Sequence, residues 1–300
     1  DSIDLSDVSG RLVQRQNFNR DATTVDFANS SGTAQAQGLS ASTAFQFGHD
    51  TASDQRRSNI IRHLIEYDQW GFEAKKQYVI DLFNTPGADP EGNFGESYER
   101  DARGLPIATW YLGPDGERQT QKSGIASVRR DYDSHGRLTS LIYLDETDCL
   151  IPHADGFASI GLIYDVNGNL VELSYSDVKG HSIQSKKGFA VEARRYDPRG
   201  NVLQRDYLDA AREPAINREG FARSVSEFDD NGKLARRVYY GVDGQAVLHN
   251  DGNAGFTLTY DQRGKLRGQG YFGVDGKPIL NNNGLARYEP VYDIRGNLTR

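Results

Sequence analysis

The chain has 300 residues, with 35 Lys and Arg against 42 Asp and Glu, a net charge of −7 and no block of basic residues. This acidic balance argues against nucleic-acid binding, which needs a basic face to contact phosphates, and against docking on anionic membranes. No segment approaches the roughly 18 apolar residues of a transmembrane helix, so we do not expect membrane insertion.

Sulfur-containing residues are almost absent. The chain begins at Asp1 and contains no Met, which predicts a mature or trimmed product. A single cysteine, Cys149, excludes an intramolecular disulfide and a cysteine-rich metal site. Because Met and Cys are easily oxidised, their scarcity favours an exposed, extracellular location.

The first 66 residues are rich in small polar side chains but retain traces of a pattern that recurs later. Asp7–Leu12 matches an Asp-x-x-Gly-x-Leu motif, and Gly32–Ala34 matches a Gly-x-Ala element. Terminal repeats are usually atypical because they need a polar outer face. We therefore interpret residues 1–66 as degenerate capping repeats and residues 67–300 as seven full regular repeats and a partial eighth.

Ile60, Ile61, Leu64 and Ile65 have the spacing of one face of a helix. However, Leu64–Asp68 aligns with later segments in which an apolar run leads into a turn. We therefore predict a strand here. The repeat that begins at Tyr67 carries one extra residue before Gly92, and the later repeats have a strict period.

The next repeat begins at Arg100, and from Tyr132 to Tyr292 an aromatic residue followed by Asp, with Gly three residues after the Asp, recurs every 32 residues. Self-similarity at a fixed period indicates a repeat architecture. The structural turn residues predicted from this pattern are Asp133, Gly136, Asp165, Gly168, Asp197, Gly200, Asp229, Gly232, Asp261, Gly264, Asp293 and Gly296.

We number positions from the first residue of each repeat, so that in the repeat beginning at Tyr196 the turn Gly lies at plus four. Tyr at plus eleven, Gly at plus 24 and Ala at plus 26 recur in six successive repeats. Asp suits the first position of a type I turn, and Gly supplies the positive φ of a hairpin with a G1 bulge. This turn places Tyr196 opposite Val202 and Tyr164 opposite Leu170.

A second turn, as in Val242–Gly244, and the later Gly-x-Ala element make the chain reverse about three times in each repeat. A single hairpin is marginal in water, so each repeat must bury its aromatic residues against its neighbours. We therefore predict an all-β repeat protein of stacked β-hairpins, a β-solenoid or spiral with about 32 residues per repeat.

The core Tyr164–Leu170, with its Tyr-Asp-x-x-Gly-Asn-Leu sequence, resembles the YD repeats of RHS-type bacterial surface and toxin proteins. The resemblance covers residues 67–300 but is specific over about seven residues of each repeat. RHS repeats usually have a shorter period, and the second block here, such as Tyr271–Pro278, is additional. The resemblance implies a β-hairpin spiral in an exported bacterial protein, and it carries over no catalytic residues.

Three candidate chemistries compete with simpler interpretations. Turns such as Asp165–Gly168 are similar to a calcium loop, but they lack the alternating ligands and the distal Glu, so turn chemistry explains them better. Cys149 with His153, in a repeat that has Asp148 at plus sixteen instead of Gly, lacks the third group of a nucleophilic site. A glycosidase needs a pair of carboxylates, for which Asp206 and Glu213 are the weak candidates.

Side chains at plus ten differ between repeats, whereas the turn residues and the tyrosines at plus eleven stay constant. A surface that recognises a partner would therefore use the plus-ten side chains. These candidate binding positions are Trp110, Ile142, Ser174, Asp206, Val238 and Gly270. The tyrosine rows could stack on glycans, although an internal ladder explains them more simply.

The sequence therefore predicts a non-enzymatic protein without metal or cofactor, acting as a structural or binding element of the bacterial surface. Its partners would be copies of itself in a filament, another surface protein or a glycan. The alternative is a shell segment of an RHS-like toxin-encapsulating protein, since such shells enclose or display an effector outside the repeats.

Overall fold

The computed structural model describes residues 60–293 and residue 295, together with three earlier strands. Every regular element among these residues is a β-strand in a series of antiparallel hairpins, which confirms the predicted all-β repeat fold. The chain divides into two compact units, Asp1–His153 and Ala154–Arg300. The motifs predicted at residues 7–11 and 32–34, and the turn glycine Gly296, lie outside the described residues. The boundary after residue 66 stays a prediction.

In the described part of the first unit, consecutive strands pair antiparallel in chain order. The strands are β1 (Ser2–Ser6), β2 (Leu12–Phe18), β3 (Thr23–Phe27), β4 (Arg62–Tyr67), β5 (Glu73–Val79), β6 (Gly95–Arg100), β7 (Pro106–Leu112), β8 (Ser127–Tyr132) and β9 (Leu138–Leu144).

The described part of the second unit follows the same plan. Its strands are β10 (Ser159–Tyr164), β11 (Leu170–Ser176), β12 (Val191–Tyr196), β13 (Val202–Leu208), β14 (Arg223–Phe228), β15 (Leu234–Tyr240), β16 (Gly255–Tyr260), β17 (Leu266–Phe272) and β18 (Arg287–Tyr288).

Each repeat is one hairpin followed by a connection that contains two further turns. Tyr196 pairs with Val202 and Tyr164 with Leu170, each after a register shift in the preceding residue pair. This confirms the register predicted for a hairpin with a bulge beside the turn. After β13, the chain turns at 209–212 and again at 217–220 before β14 pairs back onto β13.

The third turns of successive repeats are joined by backbone hydrogen bonds. In the second unit, the N–H of Lys186 donates to the carbonyl oxygen of Asp155 at 2.9 Å, and Arg218 N–H donates to Lys187 at 2.8 Å. The same contact joins Lys122 to Glu91 in the first unit at 3.1 Å. Neighbouring repeats are therefore held together outside the sheet as well as within it.

A continuous aromatic ladder forms the core of the second unit, as predicted for the tyrosine rows. Tyr at plus eleven alternates with Phe at plus 25, and consecutive ring centroids lie 4.4 to 5.6 Å apart. The rings are those of Phe157, Tyr175, Phe189, Tyr207, Phe221 and Tyr239. Such pairs each contribute about 0.5 to 1.5 kcal/mol beyond their buried area. Phe recurs at plus 25 in three successive repeats of the sequence, and the structure shows that these residues belong to the ladder.

β4 confirms the strand predicted from the repeat register against the helical spacing of its apolar residues. The extra residue of this repeat lies in the second turn. Ile80 N–H donates to Thr85 five residues later, whereas Asp209 N–H donates to Glu213 four residues later in a regular repeat. The insertion thus enlarges one turn and leaves the strands in register.

Candidate interaction surface

The predicted binding positions all occupy the same place in the second strand of a hairpin. Because successive side chains of a strand point to opposite faces, the plus-ten residues lie on the face opposite the tyrosines at plus eleven. In the first unit these are Trp110 of β7 and Ile142 of β9, both half-buried. In the second unit Ser174 of β11 is also half-buried, between Gly161 and Val191 of the flanking strands.

The remaining three positions differ in how available their side chains are. The Asp206 carboxylate accepts a hydrogen bond from Arg223 Nε at 2.5 Å and another from Gln204 Nε2 at 2.6 Å. Val238 is 6% exposed, so its side chain contributes packing. Gly270 has no side chain and pairs with Thr257 and Arg287. Asp206 is therefore held by its own neighbours, and Trp110 presents the largest side chain of the row.

Trp110 lies in a groove of about 270 Å³ in the first unit, which we call the Trp110 groove. The Arg118 guanidinium stacks on the Trp110 ring, with its central carbon 3.7 Å from the ring centroid. Ser127, the register partner of Trp110 in β8, also lines the groove. Its hydroxyl is buried and has no hydrogen-bond partner among the residues that the structure describes. Sequence patterns alone gave no signal for Arg118 or Ser127.

Three second turns carry a side chain where the other repeats have Gly. Asn84, Asp148 and Arg212 adopt positive φ values of 61° to 67° at this place. Each side chain reaches a strand: Asn84 contacts Arg62, Asp148 pairs with Arg129 at 2.7 Å, and Arg212 pairs with Glu172 at 2.5 Å. The residue at this place thus attaches its turn to the sheet in three repeats; it is at plus sixteen for Asp148 and Arg212 and at plus seventeen for Asn84, because of the inserted residue.

The first turns have one geometry in the repeats from residue 132 to residue 264. Their glycines Gly136, Gly168, Gly200, Gly232 and Gly264 have φ values of +76° to +87°. In each turn, Oδ1 of the Asp accepts backbone N–H groups from two residues, at 2.8 to 3.0 Å. Hydrogen bonds, chiefly from the residue four positions on, lower the pKa of Asp133, Asp165, Asp197 and Asp261.

Cys149 and His153 have separate structural settings. The Cys149 thiol is exposed in the second turn of its repeat. The His153 ring stacks on Tyr143 at a centroid distance of 4.9 Å, and the His249 ring packs on Tyr239 in a tilted arrangement at the same distance. Both histidines therefore extend the aromatic packing. Among residues 60–293 and 295, no group of three or more His, Cys, Asp or Glu side chains is arranged to hold a metal ion.

The first unit contains a partly buried polar cluster for which the sequence pattern gives no signal. Lys76 Nζ lies 3.4 Å from the Glu96 carboxylate, which also accepts a hydrogen bond from the Tyr98 hydroxyl. Burial opposes ionisation of Glu96, but Lys76 and the hydrogen bonds outweigh it and lower its pKa. Burial, followed by the nearby Lys76 charge, lowers the pKa of His63 to about 4. The carbonyl oxygen of the buried Asn93 side chain has no partner among the described residues.

No family model matches the sequence, and no curated protein matches it. The part of the chain that the structure describes includes no helix long and apolar enough to span a membrane.

Chains of several solved structures are similar to this chain, and among them are toxin-complex proteins. A mutated Tc holotoxin pore from Photorhabdus luminescens matches with 11% identity and a TM-score of 0.32, over 96% of this chain and 16% of that chain. TcdB2-TccC3 without its hypervariable C-terminal region matches with 15% identity and a TM-score of 0.35, over 99% and 15% of the two chains. A porin-like protein from Bacteroides uniformis matches with 9% identity and a TM-score of 0.22, over 85% of each chain.

The chain thus spans about one sixth of the length of the toxin-complex chains that it matches. At TM-scores this low, the similarity carries no argument about function.

Proposed function

We propose that this chain is a non-enzymatic wall segment of an exported, RHS-like shell that encloses another polypeptide. The observation that carries the proposal is that neighbouring repeats are joined along three separate lines of hydrogen bonds. The first line is the sheet itself, in which β13 pairs with β14 as it does with its hairpin partner β12.

The second line runs along the first turns. Arg103 Nη1 donates to the carbonyl oxygen of Asp133 at 2.6 Å, and Arg199 Nη1 donates to Asp230 at 2.7 Å. Hydroxyl groups add to it, since Tyr196 donates to the carbonyl oxygen of Leu170 in the preceding repeat at 2.7 Å. The third line consists of the backbone hydrogen bonds between third turns.

These three lines favour a wall over a flexible binding array. In repeat proteins, stability is the sum of repeat and nearest-neighbour terms, so several lines of contact at each interface stiffen the array. A container wall needs this stiffness along its whole length and needs no catalytic group of its own. The filament alternative instead requires that separate copies pair through exposed strand edges.

The test compares the 300-residue chain with the full product of its gene. We expect the isolated chain to remain monomeric near its mass of 33.4 kDa in light scattering, because an incomplete wall has nothing to enclose. We expect the full gene product to be much longer and to form hollow particles in negative-stain electron microscopy. Fibres formed by the isolated chain, or a gene that ends within one repeat of Arg300, would overturn the proposal in favour of a surface filament.

A further inference from the structure

We propose that the Trp110 groove binds an oxyanion, a carboxylate or a phosphate group, through the edge of Arg118 and the hydroxyl of Ser127. This proposal is independent of the shell proposal, because it concerns one groove that two adjacent repeats of the first unit form. It rests on two observations, a stacked guanidinium with free donors and a buried hydroxyl without a partner.

Arg118 is oriented to recognise a planar or tetrahedral anion. Its guanidinium lies 3.7 Å from the Trp110 centroid, which is the contact distance of stacked planes. Stacking occupies the face of a guanidinium and leaves its N–H edge to form paired hydrogen bonds with carboxylate or phosphate. The Arg118 side chain makes no hydrogen bond or ion pair with any residue that the structure describes, so this edge has no protein acceptor.

Ser127 provides a second observation, independent of Arg118, that points to a ligand in the groove. It is 1% exposed, it lines the same groove, and its hydroxyl is unsatisfied among the described residues. An unpartnered buried hydroxyl is costly, and buried polar groups nearly always have a partner. A change of the Ser127 χ1 rotamer would turn this hydroxyl toward the groove, where it can donate to an anion held beside Trp110.

The acidic residues around the groove decide how strong this binding is. Asp148 is neutralised by Arg129, with Nη2 2.7 Å from Oδ1, and Asp145 accepts backbone N–H groups from Thr147 and Cys149. Glu146 is exposed and forms no ion pair within residues 60–293, so it repels an anion. The affinity is therefore expected to be modest, to fall with added salt and to rise when Glu146 is neutralised.

The experiment uses Trp110 as its own reporter. The sequence has two tryptophans, so Trp70→Phe leaves Trp110 as the sole tryptophan of the full chain. Its emission is titrated at pH 7.5 with inorganic phosphate and, separately, with succinate, each against sodium chloride of equal ionic strength. A saturable change with either anion supports the proposal, and the anion that binds more tightly identifies the source as a phosphate or a carboxylate group.

Variants of the single-tryptophan chain separate recognition from folding. Arg118→Lys keeps the charge but loses the paired donors, so binding should weaken about 10-fold. Ser127→Ala should weaken binding about 5-fold without lowering Tm, because it removes an unsatisfied hydroxyl. The control Ser159→Ala changes the Ser at the equivalent position of the next repeat and should leave the affinity unchanged. Glu146→Gln should tighten binding. An emission that responds to both anions only as it does to chloride, or equal affinities in Arg118→Lys, Ser127→Ala and the parent, would overturn the proposal.

Discussion

The Arg100 guanidinium lies over the Phe72 ring, 5.4 Å from its centroid. Other repeats make the same cation–π contact, but there the cation and the aromatic residue occupy each other's positions. At the same positions, Lys233 Nζ lies 5.1 Å from the Tyr260 ring and Lys265 Nζ lies 5.0 Å from the Tyr292 ring. In these pairs the cation is at plus five and the aromatic residue begins the next repeat. The contact is therefore preserved although both residues differ.

Arg100 also replaces the hydrogen bond made by the tyrosine hydroxyl. The Tyr260 hydroxyl donates to the carbonyl oxygen of Leu234, at plus six of the preceding repeat, at 2.8 Å. Arg100 Nη2 donates to the equivalent oxygen of Glu73 at 3.1 Å. The departure of Arg100 from the aromatic-Asp motif is thus compensated by Phe72.

The first prediction is that Phe72→Lys and Arg100→Tyr rescue each other. Phe72→Lys alone places two cations together, whereas the double variant recreates the Lys233–Tyr260 arrangement. We expect a favourable coupling of about 0.5 to 1 kcal/mol in urea unfolding. Phe83→Lys, in the second turn of the same repeat, serves as the control and should be additive with Arg100→Tyr. Additive effects in both cycles would show that the Phe72–Arg100 contact does not stabilise the repeat.

The second prediction concerns the first turn at Gly200. Gly200→Val should cost about 1 to 3 kcal/mol, because φ is +85° there and a β-branched residue is strained at positive φ. Arg199→Ala removes one exposed hydrogen bond and should cost about 0.5 kcal/mol. Gly200→Asn should cost less than Gly200→Val, since Asn tolerates this conformation. Thermal unfolding of the three variants provides the measurement, and equal losses of Tm in Gly200→Val and Arg199→Ala would contradict the turn assignment.

The third prediction isolates the close approach of successive third turns. Gly188 and Gly156 have nearly equal φ values of +91° and +93°. A Cβ on Gly188 would lie 2.8 Å from the carbonyl oxygen of Ile216, whereas a Cβ on Gly156 would meet nothing within 4 Å. Gly188→Ala should therefore lower stability by about 1 to 3 kcal/mol more than Gly156→Ala. Hydrogen exchange at Arg218, whose N–H donates to Lys187, should increase in Gly188→Ala alone.

The fourth prediction is an acid-dependent loss of stability at His63. The folded pKa of about 4 lies below the unfolded value of 6.5 because of burial and then Lys76. Between these values the unfolded chain binds a proton that the folded chain does not, so stability falls as pH decreases through this window. The loss is up to about 3 kcal/mol.

Urea unfolding at pH 7.5, 6.5, 5.5 and 4.5 measures this effect. His63→Gln should flatten the decline between pH 6.5 and 4.5, because it removes the group that titrates. His181→Gln changes an exposed imidazole in a second turn and serves as the control. Parallel declines in the His63→Gln and parent chains would show that His63 does not set the acid response.

The fifth prediction concerns the turn aspartates at lower pH. The pKa of Asp197 is lowered from 3.8, first by the Asn201 side-chain hydrogen bond and also by backbone N–H groups. The stabilisation that the ionised Asp197 side chain gives to the folded chain is present above the unfolded pKa and is lost as pH falls through the folded pKa. Asp197→Asn should therefore lower Tm only slightly at pH 7 and reduce the fall of Tm below pH 3.8.

Asn can replace Asp here because the third turns already use it. Asn217 Oδ1 accepts N–H groups from Glu219 at 3.0 Å and Phe221 at 3.2 Å. Asp230→Asn is the matched control. The Asp230 side chain is exposed in the first turn of the next repeat, and its carboxylate accepts no backbone N–H among the described residues. If both substitutions alter the Tm profile below pH 3.8 equally, general charge repulsion and not the turn hydrogen bonds governs it.

Features that depend on local backbone geometry were predictable from the sequence. The spacing of Asp197 and Gly200 was sufficient to predict a hairpin with a bulge, and the resulting pairing of Tyr196 with Val202 is observed. The same register correctly assigned β4 as a strand against its helical spacing. These predictions succeeded because φ preferences and turn hydrogen bonds act between residues only a few positions apart.

Contacts between side chains of different strands and turns could not be predicted from the sequence and are seen only in the folded chain. The stacking of Arg118 on Trp110, the unpartnered hydroxyl of Ser127 and the exchange of roles between Phe72 and Arg100 depend on contacts across strands and turns. A repeat frame fixes the positions of such residues but not their rotamers or partners. Those are set by packing, in which each side chain takes the space and the hydrogen-bond groups that its neighbours leave free.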